Sequence, residues 1–161
     1  MRFATIATAI LFATVPVAAQ DAPFWQGDEL HAVLKVDGSC SLVVRTADNS
    51  ALAALVQEND GSSELLIMSP QPLFAGDPSQ RVRLEFLRSD GRRHGERVTF
   101  ETRSGGRHVA PISNAGAAAF SGSRALRIYA RSEETPIFEI EPDPELMVQA
   151  TAQMRACLAE D

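Results

Sequence analysis

From residue 30 onwards, apolar and polar residues alternate in short runs separated by turn-forming residues. Residues 30–36 (LHAVLKV) alternate in part, Asp37-Gly38 marks a turn, and residues 40–44 (CSLVV) read as the returning strand. Residues 50–58 (SALAALVQE) fit two elements. Asp48, Asn49 and Ser50 suit the cap of a short helix, whereas Leu52, Ala54 and Val56 alternate as a strand does. The turn Asn59-Asp60-Gly61 ahead of residues 64–68 (ELLIM) favours the strand, as half of a hairpin. Residues 69–80 contain three prolines and a glycine and form a loop. Val82, Leu84 and Phe86 then alternate with Arg81, Arg83 and Glu85. Ser89-Asp90-Gly91 turns this strand into another, where Val98 and Phe100 alternate with Arg97, Thr99 and Glu101. Gly105-Gly106 is a further turn. Val109, Ile112 and the small residues 115–119 decide no element. Leu126, Ile128 and Ala130 alternate with Arg127, Tyr129 and Arg131, and one more strand starts at Ile137-Phe138. The period then changes. Asp143 suits an N-cap, Pro144 the first helical position and Glu145 the first turn. Leu146, Ala150, Met154 and Cys157-Leu158 form one apolar stripe, so a helix is expected over about residues 144–158. The pattern predicts a mainly β fold: an antiparallel β-sandwich or barrel with a C-terminal α-helix.

The first residues follow a different logic. Arg2 precedes an uncharged apolar stretch, residues 3–15. Pro16 breaks it, and Val17-Ala18-Ala19 supplies small residues for cleavage between Ala19 and Gln20. Residues 1–19 thus read as a secretory signal peptide, and residues 20–161 as a single β-rich domain that is periplasmic or secreted, with no membrane span after cleavage. The length of 161 residues suits one domain, and 45% hydrophobic with 22% charged residues excludes a mainly disordered or fibrous chain. Both cysteines, Cys40 and Cys157, lie in the exported part. An even count in an oxidising compartment favours a disulfide, which here would join an early strand to the last helix.

Net charge is −6, and loss of Arg2 with the signal peptide makes it −7. An acidic protein is not expected to bind nucleic acid. The total hides a division. Residues 20–80 carry two basic and nine acidic residues, residues 81–131 eleven arginines and four acids, and residues 132–161 one arginine and eight acids. One reading is internal neutralisation, outward arginines facing glutamates across strands such as 81–88 and 97–103. The other is a basic surface for an anionic envelope component or acidic partner. Its candidate residues are Arg92, Arg93 and His94 in one loop, joined by Arg103, Arg107 and His108.

Motifs for catalysis are missing. No G-x-S-x-G, phosphate-loop or dinucleotide fingerprint occurs, and His31, His94 and His108 have no metal-ligand spacing, so no cofactor or metal is expected. Glu133-Glu134 reads as a solvated turn, and Trp25 as an anchor for the N-terminal segment.

The whole plan resembles the small exported β-sandwich proteins of Gram-negative bacteria typified by the invasion-associated locus B family. The shared features are a signal peptide, Trp25 soon after it, Cys40 opening a strand, the proline-rich loop, the V-x-L-x-F strand at Val82–Phe86 and a small-residue helix ending in Cys157-Leu158. The chain departs from that family in having only two cysteines and a shorter core. The resemblance implies a non-enzymatic envelope or secreted protein. The expected function is therefore an interaction module for an anionic polymer or envelope protein. The alternatives are an envelope hydrolase with a dispersed Ser/His/carboxylate site and a purely structural envelope protein.

Overall fold

The computed structural model describes residues 23–70, 73–74, 78–131 and 133–160. The expected signal peptide and its cleavage site lie outside them, as does much of the proline-rich loop. The described residues form ten strands and two helices: β1 Trp25–Gln26, β2 His31–Val36, β3 Ser39–Arg45, β4 Leu52–Gln57, β5 Ser63–Met68, β6 Ser79–Arg88, β7 Arg93–Arg103, β8 Arg107–Pro111, α1 Asn114–Ser121, β9 Ser123–Ala130, β10 Phe138–Ile140 and α2 Pro144–Leu158. All ten strands belong to one antiparallel sheet, in the order β1-β2-β3-β4-β5-β8-β7-β6-β9-β10. The expectation of a mainly β antiparallel fold with a C-terminal helix holds.

Local chemistry sets the hairpins. Asp37 and Gly38 have φ of 50° and 79°, the doubly positive backbone that a two-residue turn needs to match strand twist. Gly105 and Gly106 are also positive, at 76° and 70°, in the three-residue loop between Arg103 and Arg107. The strand reading of residues 50–58 holds, because β4 pairs on both sides, with β3 and with β5.

Two long-range steps leave the meander. After β5 the chain skips three places to β6, and β7 and β8 fill the gap, a Greek-key order. From β8 it crosses back over the sheet through α1, which packs on β6, β7 and β9. The small residues 115–119, undecided in sequence, lie within this helix. Ser113 is its N-cap, its Oγ accepting from the Gly116 N–H at 3.0 Å. Glu96 of β7 reinforces the cap, accepting from the Ser113 N–H at 2.8 Å and from its Oγ at 3.1 Å. A Cβ at Gly116 would meet the Glu96 carboxylate, which would have to swing away from the cap to make room.

The second helix closes the core. It packs against β2 and β3 near one end of the sheet order and against β9 near the other, so the sheet curls around it. Met147, Ala150, Met154 and Cys157 form its buried stripe. They meet inward residues such as Val33, Leu42, Leu126 and Ile128. Asp143 caps the helix as expected, accepting from Glu145 N–H at 2.8 Å and Leu146 N–H at 3.1 Å. The Cys40 and Cys157 sulfurs lie 2.00 Å apart, at disulfide distance, with Cα atoms 6.2 Å apart. Trp25 packs against the core beside α2. Its indole lies over Gly27, where a Cβ would come within 2.8 Å of the ring and 3.1 Å of Leu146.

Candidate anion-binding face

The outward side of β6, β7 and β9 is built in rungs. Directly opposite residues of an antiparallel pair share a face, and their side chains interact. One rung runs from Glu85 on β6 to Arg127 on β9 to Glu139 on β10. Arg127 is held from both sides, its Nε 2.6 Å from Glu139 and its Nη1 3.8 Å from Glu85. These carboxylates raise the pKa of the guanidinium, the hydrogen bond that Arg127 Nε donates to Glu139 foremost. Here internal neutralisation is realised.

The adjacent rung is different. Arg83 on β6 lies directly opposite Arg97 on β7, and on its other side opposite Tyr129 of β9. Like charges directly opposite one another destabilise a sheet. The expected pairing of opposite signs between strands 81–88 and 97–103 therefore fails at this rung. Arg83 instead lies over Tyr129, its Cζ 4.3 Å from the ring centroid, a cation–π contact. One rung further, Arg81 pairs with Thr99. Arg81, Arg83, Arg97 and Arg131 line a cleft of about 430 Å³, together with Glu133 and Glu134. Among the described residues, none of these four arginines has a carboxylate within ion-pair distance. Glu133 and Glu134, read in sequence as a solvated turn, stand at this cleft.

The arginines singled out in sequence fall into two separate pairs: Arg103 and Arg107 are register partners where β7 meets β8, far along the strand from Arg92 and Arg93. The loop expected to hold Arg92, Arg93 and His94 is shorter than that. Arg92 sits in the turn, while Arg93 and His94 already belong to β7. Arg103 ends the same strand and Arg107 starts the next. Ten residues at about 3.4 Å each put Arg93 and Arg103 roughly 34 Å apart along β7. Arg92 approaches Asp90 at 3.9 Å, Arg103 approaches Glu64 at 3.6 Å, and Arg107 donates to the Ser104 carbonyl at 3.1 Å.

The histidines are structural in setting. His31 is buried; its Nδ1 lies 2.9 Å from Asp28 and its Nε2 accepts from the Asp143 N–H at 3.2 Å, tying β2 to the start of α2. His94 stacks on Phe86, and its Nε2 lies 3.7 Å from Glu96. With Ser113 bonded to that same Glu96, the carboxylate sits between serine and imidazole. A hydrolytic triad needs the imidazole between serine and acid. Among the described residues, no group of three or more His, Cys, Asp or Glu side chains is placed to hold a metal.

His108 does not belong to any basic surface. It faces Ile67 across β5 and β8, is buried edge-on against Phe74, and has Thr102 Oγ1 at 3.1 Å. Burial lowers its pKa from 6.5. Between the folded and unfolded pKa the unfolded chain binds the extra proton, so stability falls as pH drops below 6.5. In urea titrations from pH 7.5 to 5, the parent is expected to lose more stability than His108→Gln. Parallel curves for the two proteins would contradict this.

Among the described residues, no helix is long and apolar enough to cross a membrane. Comparison with protein-family models, curated proteins and solved structures finds no match to the chain, and the family resemblance rests on the sequence plan alone.

Proposed function

We propose that this protein is a non-enzymatic interaction module of the periplasm or cell exterior, binding an anionic envelope component or acidic partner through the arginines of β6, β7 and β9. The observation that carries this reading is the rung Arg97–Arg83–Tyr129, where like charges face each other with, among the described residues, no carboxylate within ion-pair distance. Such an arrangement costs the free protein stability, and an anion bound across it would remove that cost. The signal-like N-terminus and the disulfide-distance pair Cys40–Cys157 support an oxidising compartment.

A protein of net charge −6 should flow through a cation exchanger near neutral pH unless basic charge is concentrated on one face. The protein is expected to be retained on phosphocellulose at low salt and eluted by raising it. The double variant Arg83→Glu/Arg97→Glu is expected to flow through. Flow-through of the parent, or retention of the double variant, overturns the assignment to this face.

A further inference from the structure

The arginine cleft has properties that select among anions. Its lining carries four arginines and two glutamates, a formal charge of +2. Its guanidinium groups come from three neighbouring strands or their ends: Arg97 from β7, Arg81 and Arg83 from β6, and Arg131 just beyond β9. Neighbouring strands lie about 4.8 Å apart, so long side chains from three of them can close on a compact anion. A planar carboxylate has two oxygens, which one guanidinium fork satisfies. A phosphate monoester presents three terminal oxygens, which several forks can share, and carries about −1.5 to −2 charges at neutral pH. That matches the lining. A diester or sulfate ester carries a single charge and leaves part of the +2 uncompensated. Longer polyphosphates exceed it and would meet Glu133 and Glu134. Stacking on Tyr129 also restrains Arg83 before any ligand arrives, which lowers the ordering cost of binding.

We propose that the cleft lined by Arg81, Arg83, Arg97 and Arg131 is a binding site for a phosphate monoester group, carried by a soluble metabolite or by a lipid headgroup. This rests on the anion-binding reading above and narrows it to one chemistry.

The test is calorimetric or NMR titration of the full exported domain with methyl phosphate, dimethyl phosphate and methyl sulfate. Methyl phosphate is expected to bind, and each of the other two at least about tenfold more weakly. Binding of methyl phosphate should strengthen from pH 5.5 to pH 7.5, because the second ionisation of a monoester falls near pH 6. Arg97→Lys keeps the charge but loses the fork, and should weaken methyl phosphate by about fivefold or more while melting no lower than the parent. Two further arms identify the carrier. Sedimentation with phosphatidylcholine vesicles containing phosphatidic acid indicates a lipid-borne monoester, and binding of glycerol 3-phosphate without vesicle recruitment indicates a soluble one. Equal affinity for all three small anions, or no response to methyl phosphate, overturns the monoester assignment. If Arg83→Glu/Arg97→Glu still abolishes retention on phosphocellulose in that case, the anion-binding face survives; if retention is also unchanged, both fall.

Discussion

Replacing Cys40 and Cys157 together by alanine is expected to destabilise the protein by about 4 kcal/mol and to lower its melting temperature by roughly 12 °C. The bond spans a sequence separation of 117 residues, so in the unfolded chain it removes a large loop entropy. The location matters as much as the loop. Cys157 belongs to the buried stripe of α2, and Cys40 to the strand on which that helix rests. A helix of 15 residues is marginal by itself in water. It stays ordered because the curled sheet covers one side of it. If it undocks, inward residues of β2, β3 and β9 become exposed together, so the loss should be cooperative and not confined to the C-terminus. The checks are thermal unfolding monitored by circular dichroism and an intact-mass gain of two hydrogens on reduction. An unchanged melting temperature after complete reduction would show that packing alone holds α2 in place.

Truncating Phe86 to alanine should cost about 4 kcal/mol, whereas Phe86→Leu should cost about 1 kcal/mol. Phe86 is completely buried near the end of β6, opposite His94 on one side and Leu126 on the other. Its ring stacks with His94 at 6.0 Å and meets Phe120 of α1 edge-on at 6.3 Å. Phe120 is one of four buried residues of a short, small-residue helix. Removing the ring takes away apolar surface that Phe120 packs on. Urea denaturation gives the stability loss, and amide exchange in α1 should accelerate beyond the global change. A cost below about 2 kcal/mol, with exchange in α1 unaltered, would mean that the Ser113–Glu96 cap alone keeps the helix docked.

The strands, the hairpin turns and α2 were legible because their signals are local. Val82, Leu84 and Phe86 are inward whatever lies beside them, and Asp37-Gly38 has few alternatives to a tight turn. The helix α1 escaped notice because residues 115–119 are small throughout and give no contrast between faces. Its cap is formed in part by Glu96, which belongs to β7. The basic residues misled for a related reason. Arg92, Arg93, Arg103 and Arg107 look like one cluster in sequence, yet an extended strand separates their ends. One local signal did point to the cleft: a hairpin centred on Asp90, in the turn Ser89-Asp90-Gly91, places Arg83 opposite Arg97. No local signal places Tyr129 and Arg131 alongside, because β9 reaches β6 only after β8 and the crossover through α1.

By itself, the sequence determined which residues face inward, where the chain turns, that the last segment is a helix, and how charge divides along the chain. These depend on side-chain period, backbone freedom at glycine and aspartate, and composition, all of which are properties of neighbours in the chain. The tertiary structure alone decided which strands lie side by side, and therefore which charges meet. It gave Arg127 two glutamates and gave Arg83 another arginine and a tyrosine. Strand pairing is set by burial of the whole inward face around α2, and the outward charges are carried wherever that pairing puts them.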